Sequence, residues 1–300
     1  MIRVFSILII CLSAISFESA SSQLDDRKIA HKFDYIKVIR NAEQGNMVAQ
    51  CVLGVMYIEG NGVSQDGNKA VKWLTKAAEQ GYPDAQYNLG IMYYTGENVP
   101  QDYAMAMKWN HKAAVQGHSN AQYNLACMFQ LGSGVPQDYA EALKWYTKAA
   151  DQGHVSAQLN IGTMYYFGQG VTQNHCEAMK WYRKSAEQED ATAQLKLGNM
   201  YNSGHCVPQD YAQAVKWYRK AADQGNVKAQ GILGAMYIMG NGVPQDIIKA
   251  HVLLNVSAAQ GSEKAADLRD SLAKDMTRSQ IIEAQKLATQ WRPKVNKMLS

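Results

Sequence analysis

An all-α solenoid of 36-residue helix-turn-helix repeats is the fold this sequence predicts, and three observations predict it. Ala-Gln recurs in step at Ala49-Gln50, Ala85-Gln86, Ala121-Gln122, Ala157-Gln158, Ala193-Gln194 and Ala229-Gln230, and the residues between these pairs repeat in phase. Apolar residues inside each unit recur at helical spacing, and glycine punctuates every unit at the same places. A constant period of roughly 20 to 50 residues marks an array in which each unit buries its apolar face against its neighbours only. Function in such an array belongs to an extended surface rather than to a pocket.

The chain opens on something different. Arg3 precedes an apolar run over residues 4–15, and small residues follow through residue 22. This is the charged, apolar and small-residue order of a secretory signal, so residues 1–22 read as a signal peptide. Ala14 and Ala20 each sit three back from a cleavage point, after Ser16 and after Ser22 respectively, and both points stay open. The protein is therefore expected to be exported, periplasmic or secreted. No segment approaches the roughly 18 to 20 apolar residues of a membrane-spanning helix. Cys11 follows Ile9-Ile10 inside the apolar run, where a lipidation box would place a small residue, so no lipid anchor is read there. The formal charge of +4 comes from Lys and Arg scattered over repeat positions, which leaves no nucleic-acid footprint.

Within a unit, the first half runs Ala-Gln-x-x-Leu-Gly-x-Met-Tyr, as over residues 85–93 and 193–201. Its Ala, Leu and Tyr share one helical stripe at four-residue intervals. Glycine inside this helix (Gly54, Gly90, Gly162, Gly198, Gly234) costs about 1 kcal/mol relative to alanine. Its recurrence predicts close approach of a partner helix. The helix stops near Gly60, Gly96, Gly132, Gly168, Gly204 and Gly240, since glycine takes the left-handed conformation cheaply. A loop ending Val-Pro-Gln-Asp follows, with Asp102, Asp138, Asp210 and Asp246 placed to cap the second helix. That helix carries Ala-x-Lys-Trp-x-x-Lys-Ala-Ala. Trp73, Trp109, Trp145, Trp181 and Trp217 recur in register and fill the space between units. Gln-Gly closes the units other than the fourth, as at Gln80-Gly81 and Gln224-Gly225.

Six copies run over residues 49–84, 85–120, 121–156, 157–192, 193–228 and 229–264, behind an N-terminal half repeat at 23–48. The sixth second helix has Val252-Leu253 in place of Lys-Trp and Val256 in place of the later Lys, an apolar surface that needs cover. Residues 265–300 read as the C-terminal helical cap, with Leu268, Leu272 and Met276 on one helix and Ile281, Ala284, Leu287 and Trp291 on another. The fourth copy is the most divergent: Asn174 stands for the capping Asp, and Gln188-Glu189-Asp190 for Gln-Gly. A bend or loosening is expected near residues 172–192.

These motifs together resemble the Sel-one-like repeat, a relative of the tetratricopeptide repeat, over about 220 residues. The resemblance implies a right-handed α/α superhelix that binds a protein or peptide on its concave face, as an exported scaffold without a cofactor and monomeric. It also implies two alternatives. One is a β-lactamase or penicillin-binding hydrolase of the cysteine-rich branch, against which Cys51 finds Ala77-Ala78 where that branch pairs its cysteines. The other is an envelope regulator binding a cell-wall enzyme. No phosphate loop, zinc-protease motif or marked catalytic triad occurs in the sequence.

Helical projection of the first helices leaves two, three, six, nine and ten residues after the Ala of Ala-Gln as the surface positions. The candidate partner-binding residues there are Tyr87, Asn88, Tyr94, Tyr123, Asn124, Asn160 and Tyr166. Tyrosine supplies contact area and asparagine can pair with a peptide backbone. The same residues could instead pack one repeat on the next. Cys51, Cys127, Cys176 and Cys206 occupy four different repeat positions, so no disulfide framework recurs. His175-Cys176 and His205-Cys206 lie near one loop edge of adjacent units, where a Cys176 to Cys206 disulfide, a zinc site and a surface coincidence are all open readings. Helices about 8 to 10 Å apart stand too wide for that disulfide without local adjustment. His118 and His154 share a repeat position and read as surface residues.

Overall fold

A computed structural model of the chain describes residues 35–293. Expectations about the signal peptide, its cleavage and the start of the N-terminal half repeat fall outside these residues. Among the described residues every regular element is an α-helix. They form two compact units, one ending at Asp138 and the other beginning at Tyr139. The first holds α1 (residues 35–43), α2 (Met47–Glu59), α3 (Gly67–Glu79), α4 (Pro83–Thr95), α5 (Tyr103–Val115) and α6 (Ser119–Leu131). The second holds α7 (Tyr139–Asp151), α8 (Val155–Phe167), α9 (His175–Glu187), α10 (Ala191–Ser203), α11 (Tyr211–Asp223), α12 (Val227–Met239), α13 (Ile247–Ala259), α14 (Glu263–Ala273) and α15 (Arg278–Gln290). Within each unit consecutive helices pack pairwise, from α2 to α6 and from α7 to α14, and α15 packs on α13.

The predicted punctuation is where the helices end. Gly60, Gly96, Gly168, Gly204 and Gly240 close first helices at φ near +70°, and each N–H returns to a carbonyl one turn back, as Gly96 to Met92 at 3.0 Å. The capping aspartates hold second-helix starts: the Asp102 carboxylate accepts from the Met105 N–H and that of Asp246 from the Lys249 N–H. The Gln before the capping Asp or Asn has a job the sequence did not disclose. Gln101, Gln173 and Gln209 donate from Nε2 to the carbonyls of Tyr94, Tyr166 and Asn202, so the loop satisfies the last turn of the helix it leaves.

The glycine inside the first helix is the floor on which the second helix lands. A Cβ at Gly54 would stand 2.6 Å from Leu74, at Gly90 2.5 Å from the Asn110 amide, and at Gly162 and Gly198 2.6 Å from the rings of Tyr182 and Tyr218. The contact residue is the one after the tryptophan position. Tyr146, Tyr182 and Tyr218 are among the most deeply buried side chains. The tryptophans do bridge units: Trp109 joins a cluster with Cys51, Leu74 and Leu89, and Trp217 packs on one containing Tyr182 and Leu197. Their outer faces carry the recurring lysine, with the Lys76, Lys184 and Lys220 ammoniums 4.1 to 4.6 Å from the ring centres of Trp73, Trp181 and Trp217.

The fourth repeat does not loosen as expected, because each departure preserves the local bond. Asn174 caps α9 through its Oδ1 and the Glu177 N–H, and Asp190 caps α10 through the Ala193 N–H at 2.6 Å. Glu189 adopts φ 67°, the left-handed turn that glycine takes elsewhere. A side chain in that conformation costs about 1 to 2 kcal/mol, part of which glycine gives back by a floppier unfolded chain. Glu189→Gly is expected to raise the unfolding free energy by about 0.5 kcal/mol in urea titration.

The sixth repeat is covered by α14 and α15. Leu272, Met276 and Ala284 are buried in one cluster with Leu254, and Val252 and Leu253 pack against it. Ile282 and Leu287 of α15 remain exposed. His251, in α13, is buried with no partner for its Nδ1.

His118 and His154 are helix caps, which corrects the reading of them as surface residues. Each stands at the N-cap of a first helix, where Nδ1 accepts from the Ala121 N–H at 3.1 Å and the Ala157 N–H at 3.2 Å. An imidazole can accept there only while neutral. Burial lowers the His154 pKa below its ordinary 6.5, and burial and then Arg269 do the same to His251. Both histidines bind protons less readily folded than unfolded. Their contribution to stability is therefore full above pH 6.5 and is lost as pH falls towards their folded values. Asp84 adds a lower window: its bond to His118, and then that to Tyr82, hold its carboxyl below 3.8, so its contribution is lost as pH falls below that value. Thermal unfolding followed from pH 7.5 to 5 is expected to show Tm falling below about pH 6.5. His154→Asn, which keeps a capping acceptor, flattens part of that slope.

Candidate functional site

The first-helix faces of each unit hold the residues of interest, and the repeat frame is fixed beneath them by glutamine. The Gln of every Ala-Gln is buried. In the first unit Gln86 Nε2 donates to the Ala78 carbonyl at the end of α3 (3.0 Å), and its Oε1 accepts from Gln116 Nε2 at the end of α5 (2.7 Å). Gln50 does the same with Ala42 and Gln80. In the second unit Gln194 joins Ala186 to Gln224, and Gln230 joins Ala222 to Gln260. One buried side chain thus ties three consecutive helices. The co-recurrence of Ala-Gln and Gln-Gly was the only sequence signal for this pairing.

Above that frame the candidates divide by environment. Tyr87 stacks on His118 with ring centres 4.5 Å apart, and burial pushes its pKa up to about 12. His118 in turn directs Nε2 to Asp84 at 3.3 Å, so Tyr87 is embedded in a contact between repeats. Asn88 Nδ2 lies 3.7 Å from Cys51 Sγ. Tyr94 meets Tyr103 edge-on at 5.4 Å. Tyr123 and Asn124 on α6, and Asn160 on α8, are half-buried. Farther along these helices the side chains emerge: Leu131 ends α6 at 65% exposure, Phe167 ends α8 at 58% and Met239 ends α12 at 61%.

Tyr166 belongs to a different group. Its hydroxyl is 3.2 Å from His205 Nδ1, and its ring lies 4.8 Å from that of His175. The two imidazoles stack at 4.7 Å, 8° from parallel. Beside them Cys176 and Cys206 are placed with Sγ atoms 2.18 Å apart and Cα atoms 4.8 Å apart. The wide helix spacing does not apply here, because Cys206 lies on the loop after α10 in the left-handed conformation, at φ 71°. Among the described residues no group of three or more His, Cys, Asp or Glu side chains is arranged to hold a metal ion. No helix among them is long and apolar enough to cross a membrane.

The chain is similar to solved Sel1 repeat proteins. A solved Sel1 repeat protein from Oxalobacter formigenes shares 32% identity at a TM-score of 0.69, over 77% of this chain and 93% of that one. The structure of c5321, a protective antigen of uropathogenic Escherichia coli with an SLR fold, shares 30% identity at a TM-score of 0.39, over 87% of this chain and 72% of that one. No curated protein matches the chain. The Sel1 repeat profile matches residues 48–82, 83–118, 119–154, 155–190, 191–226 and 227–262, in phase with the starts of the first helices. With six consecutive copies of helix, glycine turn and capped helix, the chain belongs to the Sel1 repeat family.

Proposed function

We propose that this chain is an exported, non-enzymatic scaffold that binds a protein or peptide on the face formed by its first helices. The observation that carries this reading is the contrast between frame and surface. The repeated Gln, Gly and Asp residues are consumed by bonds within the array, whereas Leu131, Phe167 and Met239 hold large apolar side chains in solvent at one repeat position. Exposed apolar groups beside tyrosine and asparagine suit a protein partner. On this reading Tyr94, Tyr123 and Asn124 line the contact on the first unit, with Tyr87 and Asn88 supporting it from below, and Asn160 and Tyr166 line that on the second. The protein acts as a monomer, without nucleic acid or cofactor.

Affinity capture with residues 23–300 as bait tests the surface. Replacing Tyr87, Tyr94, Tyr123 and Tyr166 by serine is expected to reduce capture at least tenfold, which corresponds to about 1.4 kcal/mol. Unaltered capture by a variant with wild-type circular dichroism would remove this face from consideration.

A further inference from the structure

We propose that Cys176 and Cys206, when reduced, form with His175 and His205 a site for one zinc ion. The argument begins with a substitution at a single contact in the repeat frame. In other copies the first residue of a second helix meets a loop glycine of the following repeat: Tyr103 meets Gly134, Tyr139 meets Gly170 and Tyr211 meets Gly242. At the same place stand His175 and Cys206, and their chain neighbours Cys176 and His205 complete two His-Cys pairs at one point. All four residues are zinc ligands by type, and two thiolates with two imidazoles make a tetrahedral set.

Two further observations point to a ligand. His175 Nδ1 is buried without a hydrogen-bond partner, although buried ring nitrogens nearly always have one. His205 Nδ1 is engaged by the Tyr166 hydroxyl at 3.2 Å, which orients the ring and leaves Nε2 for a metal, the usual supporting arrangement around a ligating imidazole. In the disulfide state the sulfurs hold each other and the rings stack, so no cation site exists. Reduction by a small thiol breaks the S–S bond, yields two cysteine thiols and oxidises two reductant thiols to their disulfide. Zinc then displaces the two thiol protons. The exposed loop position of Cys206 lets the sulfurs separate, and the imidazoles turn out of their stack to meet the ion.

Cobalt(II) is the probe, since a tetrahedral cobalt thiolate absorbs strongly. In a Cys11→Ala/Cys51→Ala/Cys127→Ala background, the thiol-reduced chain, desalted without air, is expected to take up one cobalt per chain with a sulfur-to-metal charge-transfer band that zinc removes. The oxidised chain shows no band. Cys206→Gly restores the residue other copies carry at this left-handed position, so it folds, and it loses the band. His175→Phe/His205→Phe also loses the band. No uptake by the reduced chain, or a band unchanged in the double histidine variant, overturns the proposal.

Discussion

Gly242→Ala lowers the unfolding free energy by about 3 kcal/mol, the largest single-site effect expected in this array. Two costs add at this position. Gly242 has φ 71°, where a Cβ costs about 1 to 2 kcal/mol. That Cβ would also overlap the Tyr211 carbonyl and the Ala212 nitrogen, and backbone gives way less readily than a side chain. Overpacking of this kind costs about 1 to 3 kcal/mol more. In scanning calorimetry a Tm drop of roughly 6 to 12 °C follows for a unit of this size. A drop under about 2 °C would mean that the repeat contact yields freely. The first repeat contact shows how the sequence itself accommodates a side chain here: Asn98 replaces the loop glycine at φ 68°, and the residue it meets is Gly67 rather than tyrosine. Gly67→Tyr alone should therefore destabilise, and Asn98→Gly should rescue it.

Gln86→Leu is the second large effect, at about 2 kcal/mol. Leucine keeps the volume and removes both bonds of a side chain that is 3% exposed. The Ala78 carbonyl retains its bond from the Gly81 N–H, which keeps the cost below that of a fully orphaned group. Gln116→Leu removes one of the same bonds from the exposed end, where water replaces it, and should cost less than half as much. The double variant is expected to show a coupling of about 0.5 to 1.5 kcal/mol, measurable by urea unfolding of the four species. Zero coupling would show that the pair contributes nothing as a pair.

Much of the architecture was legible because repetition averages out local ambiguity. The stop at Gly96, the cap at Asp102 and the close approach at Gly198 each recur, and each has a single physical reason. The roles of the two recurring glutamines were hidden because a buried amide is defined by its partners, one of which lies thirty residues away in sequence. The histidine caps were missed because histidine is an unusual acceptor at a helix start. At the candidate site, projection placed Tyr87 and Tyr166 on the open side of their helices. It could not show that His118 closes over Tyr87 or that His175 and His205 gather round Tyr166, since those contacts come from residues outside the helix that was projected.

The glutamine bonds also have a direction. At Gln50, Gln86, Gln158, Gln194 and Gln230 the Nε2 points to the helix behind and the Oε1 receives from the helix ahead, so a repeat offers its successor a carbonyl to be read. Ala265-Ala266 stands where a seventh Ala-Gln would fall, so the Ala258 carbonyl keeps the Gly261 N–H, as Ala78 keeps that of Gly81, without the glutamine side chain that Ala78 also receives. Length is thus written as grammar: a copy inserted among the six would be read by both neighbours, whereas one appended after α14 would find the sentence already closed.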